Sequence, residues 1–144
     1  MPTVPVQISK KNAEIQTPAY HRPGDAGLDL RANESITLAP GQRYPVKTGL
    51  HFAIPDGVVG LIKDRSGLAL KFGLHTLAGV IDSNYRGEIM VVLINLGEKE
   101  YQVNTGDRIA QLILLPCLQA DLTTVSTLPE TERNDSGFGS SGKT

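Results

Sequence analysis

Turn-forming residues cut this chain into pieces too short for most structures other than strands. Pro23-Gly24-Asp25, Pro40-Gly41, Pro55-Asp56-Gly57, Asp82-Ser83-Asn84, Gly97-Glu98, Thr105-Gly106-Asp107 and Pro116 recur along its length. Each supplies a preset φ, a positive φ or a side chain that bonds its own backbone. Between them lie short β-rich runs: Val4 to Ile8, Ile36 to Leu38, Arg43 to Thr48, Leu50 to Ile54, Val58 to Lys63, Ile89 to Ile94, Tyr101 to Val103 and Ile109 to Leu115. Short strands at such spacing predict an all-β sandwich or barrel. With 15 Gly and 9 Pro, long helices have little room. The one helical stretch is Ser66 to Phe72, where Ser66 is placed to cap the start and Gly73 to end the turn.

The stretch from Leu77 to Ile94 concentrates the most chemistry. Val80 and Ile81 end one extended run, Asp82-Ser83-Asn84 is a turn cluster, and Glu88 opens a second, strongly apolar run, which together predict a β-hairpin. Its tip carries a carboxylate (Asp82), a phenol (Tyr85) and a guanidinium (Arg86) between Gly79 and Gly87. Asp82 alone is explained equally well as a turn former bonding its own backbone.

At 144 residues the chain is most simply one domain, long enough to bury roughly two-thirds of its unfolded surface. From Ser126 the composition turns to Thr, Ser, Gly and charged residues, which predicts a β domain over 1–125 and a flexible arm over 126–144. A formal net charge of -1, with Lys and Arg scattered among acids, argues against a nucleic-acid polymer as partner and leaves a nucleotide monomer open. The lone Cys117 cannot form an internal disulfide, and reads as a half-buried small apolar residue. Residues 1 to 20 lack an apolar leader core, and no apolar run approaches the roughly 20 residues of a membrane span. The expectation is a soluble, cytoplasmic protein with no membrane partner.

Four further segments carry polar chemistry. Arg65-Ser66-Gly67 puts a guanidinium, a hydroxyl and open backbone at the start of the helical turn, where an anion is favoured. Phe138-Gly139-Ser140-Ser141-Gly142 offers a ring for stacking and groups able to wrap phosphates. Asp29 sits inside an apolar strand, so it must face a cation, a donor or water. Gln111 lies among Ile109, Ala110 and Leu112. Together with the segment from Gly79 to Gly87, these resemble, in order over roughly residues 20 to 142, the five motifs of the homotrimeric dUTPase family.

The resemblance implies a jelly-roll-like β-barrel that assembles as a homotrimer, each site drawing on all three chains. It implies hydrolysis of dUTP to dUMP and pyrophosphate, which limits uracil in DNA and supplies dUMP for dTTP synthesis. Asp82 matches the general base. Tyr85 matches the ring that stacks on deoxyribose and refuses UTP, and backbone groups around Thr76, Val80, Ile81 and Met90 match those that read uracil. Arg65, Ser66, Gly67 and Gln111 match phosphate contacts. Asp29 matches the acid that holds a water of bound Mg²⁺. In the arm, Phe138 matches a ring stacking over the base, with Arg133, Gly139, Ser140 and Ser141 near the phosphates.

The sequence departs from the family pattern at Asp64, where many members have proline, at Thr76, often Asn, and at Asn134 and Ser136 in the arm. An acid at 64 must point away from the phosphates or pair with Lys63 or Arg65. Two other functions remain open: a dCTP deaminase of the same fold, for which Glu88 is the only candidate acid, and a non-catalytic nucleotide-binding trimer.

Overall fold

The computed structural model describes residues 2–135, which form eleven strands and one short helix. In chain order these are β1 (Gln7–Lys10), β2 (Gly27–Arg31), β3 (Ile36–Leu38), β4 (Arg43–Lys47), β5 (Leu50–Ala53), β6 (Val58–Lys63), α1 (Ser66–Phe72), β7 (Leu74–Leu77), β8 (Val80–Ile81), β9 (Met90–Asn95), β10 (Tyr101–Val103) and β11 (Arg108–Pro116). The jelly-roll-like all-β class is as expected, but the strands group into four antiparallel ladders and not one closed barrel. The ladders are β1-β5, β3-β10, β2-β11-β6-β8 and β4-β9-β7. No helix among the described residues is long and apolar enough to cross a membrane.

One core joins the ladders. Leu30, Leu38, Val46, Val91, Leu93, Val103, Ile109 and Leu112 are almost wholly buried, contributed by strands of three ladders. In β9, Val91, Leu93 and Asn95 point inward while Val92 and Ile94 stay half-buried. An alternating pattern thus underlies a sequence that is apolar from Met90 to Ile94.

The hairpin differs from the one expected. Its first strand is β7, with Leu74 opposite Asn95 and Leu77 opposite Val92. Residues 78–89 leave that ladder as a long excursion, in which β8 crosses to pair with β6, Ile81 opposite Gly60. The chain is turned out by Ala78 at φ 59 and Gly79 at φ 97. Such a φ costs a non-glycine residue about 1–2 kcal/mol, so Ala78 gives no turn signal in the sequence. Gly79 also allows close approach: its carbonyl takes the Ile62 N–H at 2.8 Å, and a Cβ there would crowd Ile62.

Helix α1 spans the expected stretch, but its cap lies one residue earlier than Ser66. Arg65, in extended conformation, is the N-cap and makes no side-chain capping bond, so Ser66 is already the first helical residue. Gly73 ends the helix as expected, at φ 69, with its N–H turned back to the last-turn carbonyls. No residue of α1 is fully buried.

Candidate active site

The residues expected at the site fall into two groups at opposite ends of β6. At the far end, the β2-β11-β6 ladder aligns Asp29, Gln111 and Lys63 in one cross-strand row, so all three share a face. Arg108 joins them through an irregularity. In a regular strand, residues 108 and 111 face opposite sides, but the register of β11 against β2 shifts between Arg108 and Ala110. The extra residue brings Arg108 opposite Arg31, onto the face of Asp29.

Asp29 consequently lies between two guanidiniums, Arg108 Nη1 at 3.1 Å and Arg65 Nε at 3.5 Å. Arg65 is steadied by a second bond, donated from Nη1 to the Arg108 carbonyl at 3.1 Å. Two cations around one anion leave the cluster net positive and only partly exposed. Such a cluster suits a polyphosphate better than a single neutralised pair would. Ser66 and Gly67 are exposed beside it, and Gly67 faces open space where a side chain would meet nothing.

Asp64 stands next to this cluster yet is turned away. Its Oδ1 accepts from Thr76 N–H and from the Thr76 hydroxyl, both at 2.6 Å, and Oδ2 lies 2.7 Å from His75 Nδ1. Its partners are therefore on β7, and not Lys63 or Arg65. Burial pushes the carboxyl up, but the Thr76 hydroxyl, the His75 ring and the Thr76 N–H outweigh it and hold the group below its ordinary value. The Asp64 carbonyl accepts from Gln111 Nε2 at 2.8 Å, which fixes that side chain.

At the other end of β6, the excursion forms a tight turn, with Tyr85 N–H donating to the Asp82 carbonyl at 3.1 Å. The Asp82 carboxylate is exposed and makes no side-chain hydrogen bond among the described residues, so the turn does not use it. The turn is braced by Arg86, whose Nη1 donates to the carbonyls of Ser83 and Tyr85 at 2.6 and 2.8 Å. Tyr85 is held by donation to the Glu88 carbonyl at 3.1 Å, and its ring occupies the space that a Gly87 side chain would need. Below the turn, the Glu88 carboxylate accepts from Gly49 N–H at 2.8 Å and the Thr48 hydroxyl donates to the Ile89 carbonyl at 2.6 Å. The only acid available to the deaminase reading is thus tied to backbone.

These two surfaces, one cationic and one carrying an unengaged carboxylate, can be set beside known proteins. The family model described as dUTPase matches residues 13–142. The chain belongs to the dUTPase family. The deoxyuridine 5'-triphosphate nucleotidohydrolase of Leifsonia xyli subsp. xyli is 46% identical over 99% of this chain and 93% of its own length. That of Zymomonas mobilis subsp. mobilis is 48% identical over 90% of each chain. The dUTPase of Staphylococcus bacteriophage 80alpha, solved with dUPNHPP, has a TM-score of 0.87 and 29% identity, over 97% of this chain and 99% of that one. A dUTPase from phage phi11 of S. aureus, described for its coordination of a structural Mg(II) ion, has a TM-score of 0.80 at 26% identity, over 86% of this chain and 98% of that one.

Placed on this dUTPase framework, two expectations change and Arg86 gains a role. Thr76 is buried, and its N–H and hydroxyl are both spent on Asp64, so neither is free to meet a base. Cys117 is exposed, not half-buried, and borders the same hollow as Asp82. Arg86, a guanidinium at the tip, serves the turn.

Val80 and Met90 are exposed, Ile81 is half-buried, and β8 is the edge strand of its ladder. Arg133 is exposed in the stretch after Pro116, which forms no helix or strand up to residue 135. Asn134 there takes φ 41, supported by bonds in both directions with Thr131. Phe138, Gly139, Ser140, Ser141 and the Ser136 departure lie outside the described residues.

No group of three or more metal-binding side chains exists among the described residues, and the carboxylate expected to serve Mg²⁺, Asp29, lies between two guanidiniums. That donor set fits an ion carried by phosphate oxygens and water, with few protein ligands. Arg108 and His75 are the site neighbours that sequence reasoning missed. The bulge that turns Arg108 has no local signal, and the His75 partner is supplied by tertiary contact.

Proposed function

We propose that this chain hydrolyses dUTP to dUMP and pyrophosphate, as a cytoplasmic homotrimer whose sites are shared between copies. The observation that carries the reading is the separation of its two surfaces. Asp82 sits level with Val59, past the Gly60–Ile81 pair, whereas Arg65 lies beyond Lys63 at the other end of β6. At about 3.3 Å per residue that is roughly 20 Å along the strand. One chain cannot readily bring both to one α-phosphorus, but the cationic surface of one copy facing the Asp82 turn of another would complete a site.

In that site Arg65, Ser66, Gly67 and Gln111 take the phosphates, with Arg108 adding charge. Asp29 would hold a water of Mg²⁺, and the bound ion would neutralise triphosphate charge. Asp82, not engaged in the turn, orients a water and accepts its proton as the oxygen attacks the α-phosphorus in line. The bond to the bridging oxygen breaks, and pyrophosphate leaves. Tyr85, pinned by Glu88 and Gly87, presents a fixed ring that leaves no space for a 2′-hydroxyl. The free edge of β8 around Val80 and Ile81, together with the exposed Met90 at the start of β9, would offer backbone N–H and C=O to the uracil edge. A cytosine there would leave groups unpaired, at roughly 1–3 kcal/mol each. The arm, residues 126–144, closes over a neighbouring site with Phe138 on the base and Arg133, Gly139, Ser140 and Ser141 at the phosphates.

Incubation with Mg²⁺ and, separately, dUTP, dCTP, UTP and dTTP tests the reading. Pyrophosphate and dUMP from dUTP alone are expected. Ammonia from dCTP, or no product from any of the four, would overturn it.

A further inference from the structure

We propose that Asp64 is a positioning residue for the phosphate half of the site: it ties the start of α1, with Arg65, Ser66 and Gly67, to strand β7, and thereby sets affinity for the pyrophosphoryl end of the substrate. The inference rests on the function proposed above, and it concerns a residue that touches no substrate itself.

Three observations converge on it. First, Asp64 is bonded into both larger ladders at once. Its carboxylate takes the two Thr76 donors and faces His75 on β7, while its carbonyl takes Gln111 Nε2 on β11. Second, the contacts of the segment that follows lie mostly towards the other end of α1, where Leu68 packs on the core, Phe72 meets the Tyr101 ring and the Gly73 carbonyl takes the Leu96 N–H. At its start the N-cap residue Arg65 makes no side-chain capping bond, and is held by a 3.5 Å ion pair with Asp29 and one bond to the Arg108 carbonyl. A helix this short is held by tertiary contacts and not by propensity, and Asp64 supplies those contacts at its incoming end. Third, the bonds are charge-assisted and partly shielded from water, which makes them stiffer than neutral pairs.

The same geometry keeps the Asp64 charge from the phosphates. Both carboxylate oxygens are directed to β7 donors, so the acid beside Arg65 presents its backbone, and not its charge, to the site. Gln111 is oriented by that backbone carbonyl. Asp64 thus aligns one phosphate contact through its main chain and three through its side chain.

The test is Asp64→Ala, read by steady-state kinetics and by calorimetric binding of magnesium pyrophosphate and of dUMP. KM for dUTP and Kd for pyrophosphate are expected to rise about tenfold, with kcat within about threefold and dUMP binding unchanged, the signature of lost uniform binding at one end of the substrate. Asp64→Asn keeps an oxygen for both Thr76 donors and is expected to restore pyrophosphate binding to within about threefold of the parent. A fall in melting temperature with pyrophosphate affinity unchanged would overturn the proposal, leaving Asp64 a stabilising residue only. If Asp64→Ala does not fold, Thr76→Val removes one donor and keeps the N–H. A rise of about threefold in the pyrophosphate Kd supports the tie, and no change overturns it. Pyrophosphate binding is read without turnover, so failure of the parent chain to hydrolyse dUTP would count against the proposed function and not against this assignment.

Discussion

Oδ1 of Asp64 accepts two hydrogen bonds from Thr76, one from its N–H and one from its hydroxyl, each at 2.6 Å. An acid that the sequence sets beside phosphate-binding residues is thereby directed into the joint between two ladders. Its hydrogen bonds favour the charged form, so its proton is released at lower pH in the folded chain than in the unfolded one.

The sign of the linkage follows. A carboxyl whose folded value lies below its unfolded value, here 3.8, stabilises the fold above that pH and loses its contribution as pH falls through the folded value. Urea unfolding between pH 3 and pH 7 should show the parent chain losing stability below about pH 4. Asp64→Asn should be less stable than the parent near neutrality and show a shallower acid loss. Parallel pH profiles for the two would contradict the assignment.

Asp82→Asn removes a carboxylate that the turn does not use, so the fold should be unaffected. Turnover of dUTP is expected to fall about 10²-fold or more with KM little changed. Equal loss of binding and turnover would remove Asp82 from the role of base.

Gly87→Ala puts a methyl group where the Tyr85 ring lies. The ring must shift, and the barrier to a 2′-hydroxyl should weaken. The ratio of kcat/KM for dUTP over UTP is expected to fall about tenfold while Asp82 still supports turnover. Competition assays with both nucleotides read this directly.

Sharing of sites between copies predicts complementation. Asp82→Asn and Arg65→Ala chains should each be nearly inactive, yet unfolding and refolding an equal mixture should recover about a quarter of the parent rate, because some sites then pair an intact Asp82 with an intact Arg65. A site built within one chain would recover nothing.

Removing residues 136–144 should lower turnover while leaving the oligomer intact, since the ladders and core lie before that segment. Sedimentation and dUTP hydrolysis on the same preparation separate the two effects.

Local chemistry made much of this legible in the sequence. Turn residues such as Pro55-Asp56-Gly57 and Gly106-Asp107 act through their own backbone preferences, so strand runs and the Gly73 helix stop could be read from adjacent residues alone. The half-buried acid at Asp29 had to face a cation, a donor or water for the same elementary reason, and it faces two cations.

Contacts between distant parts of the chain decided the rest. Ala78 carries a positive φ without the composition of a turn, which moved the hairpin's first strand to β7 and released β8 to an edge of another ladder. A bulge in β11 turned Arg108 onto the face of Asp29, and strand pairing put Asp64 against His75 and Thr76. Residue types and short-range preferences determine which groups a strand can carry and where it must turn. Which face each group takes, and which partner neutralises it, depends on register between strands far apart in sequence, and a shift of one residue reverses it.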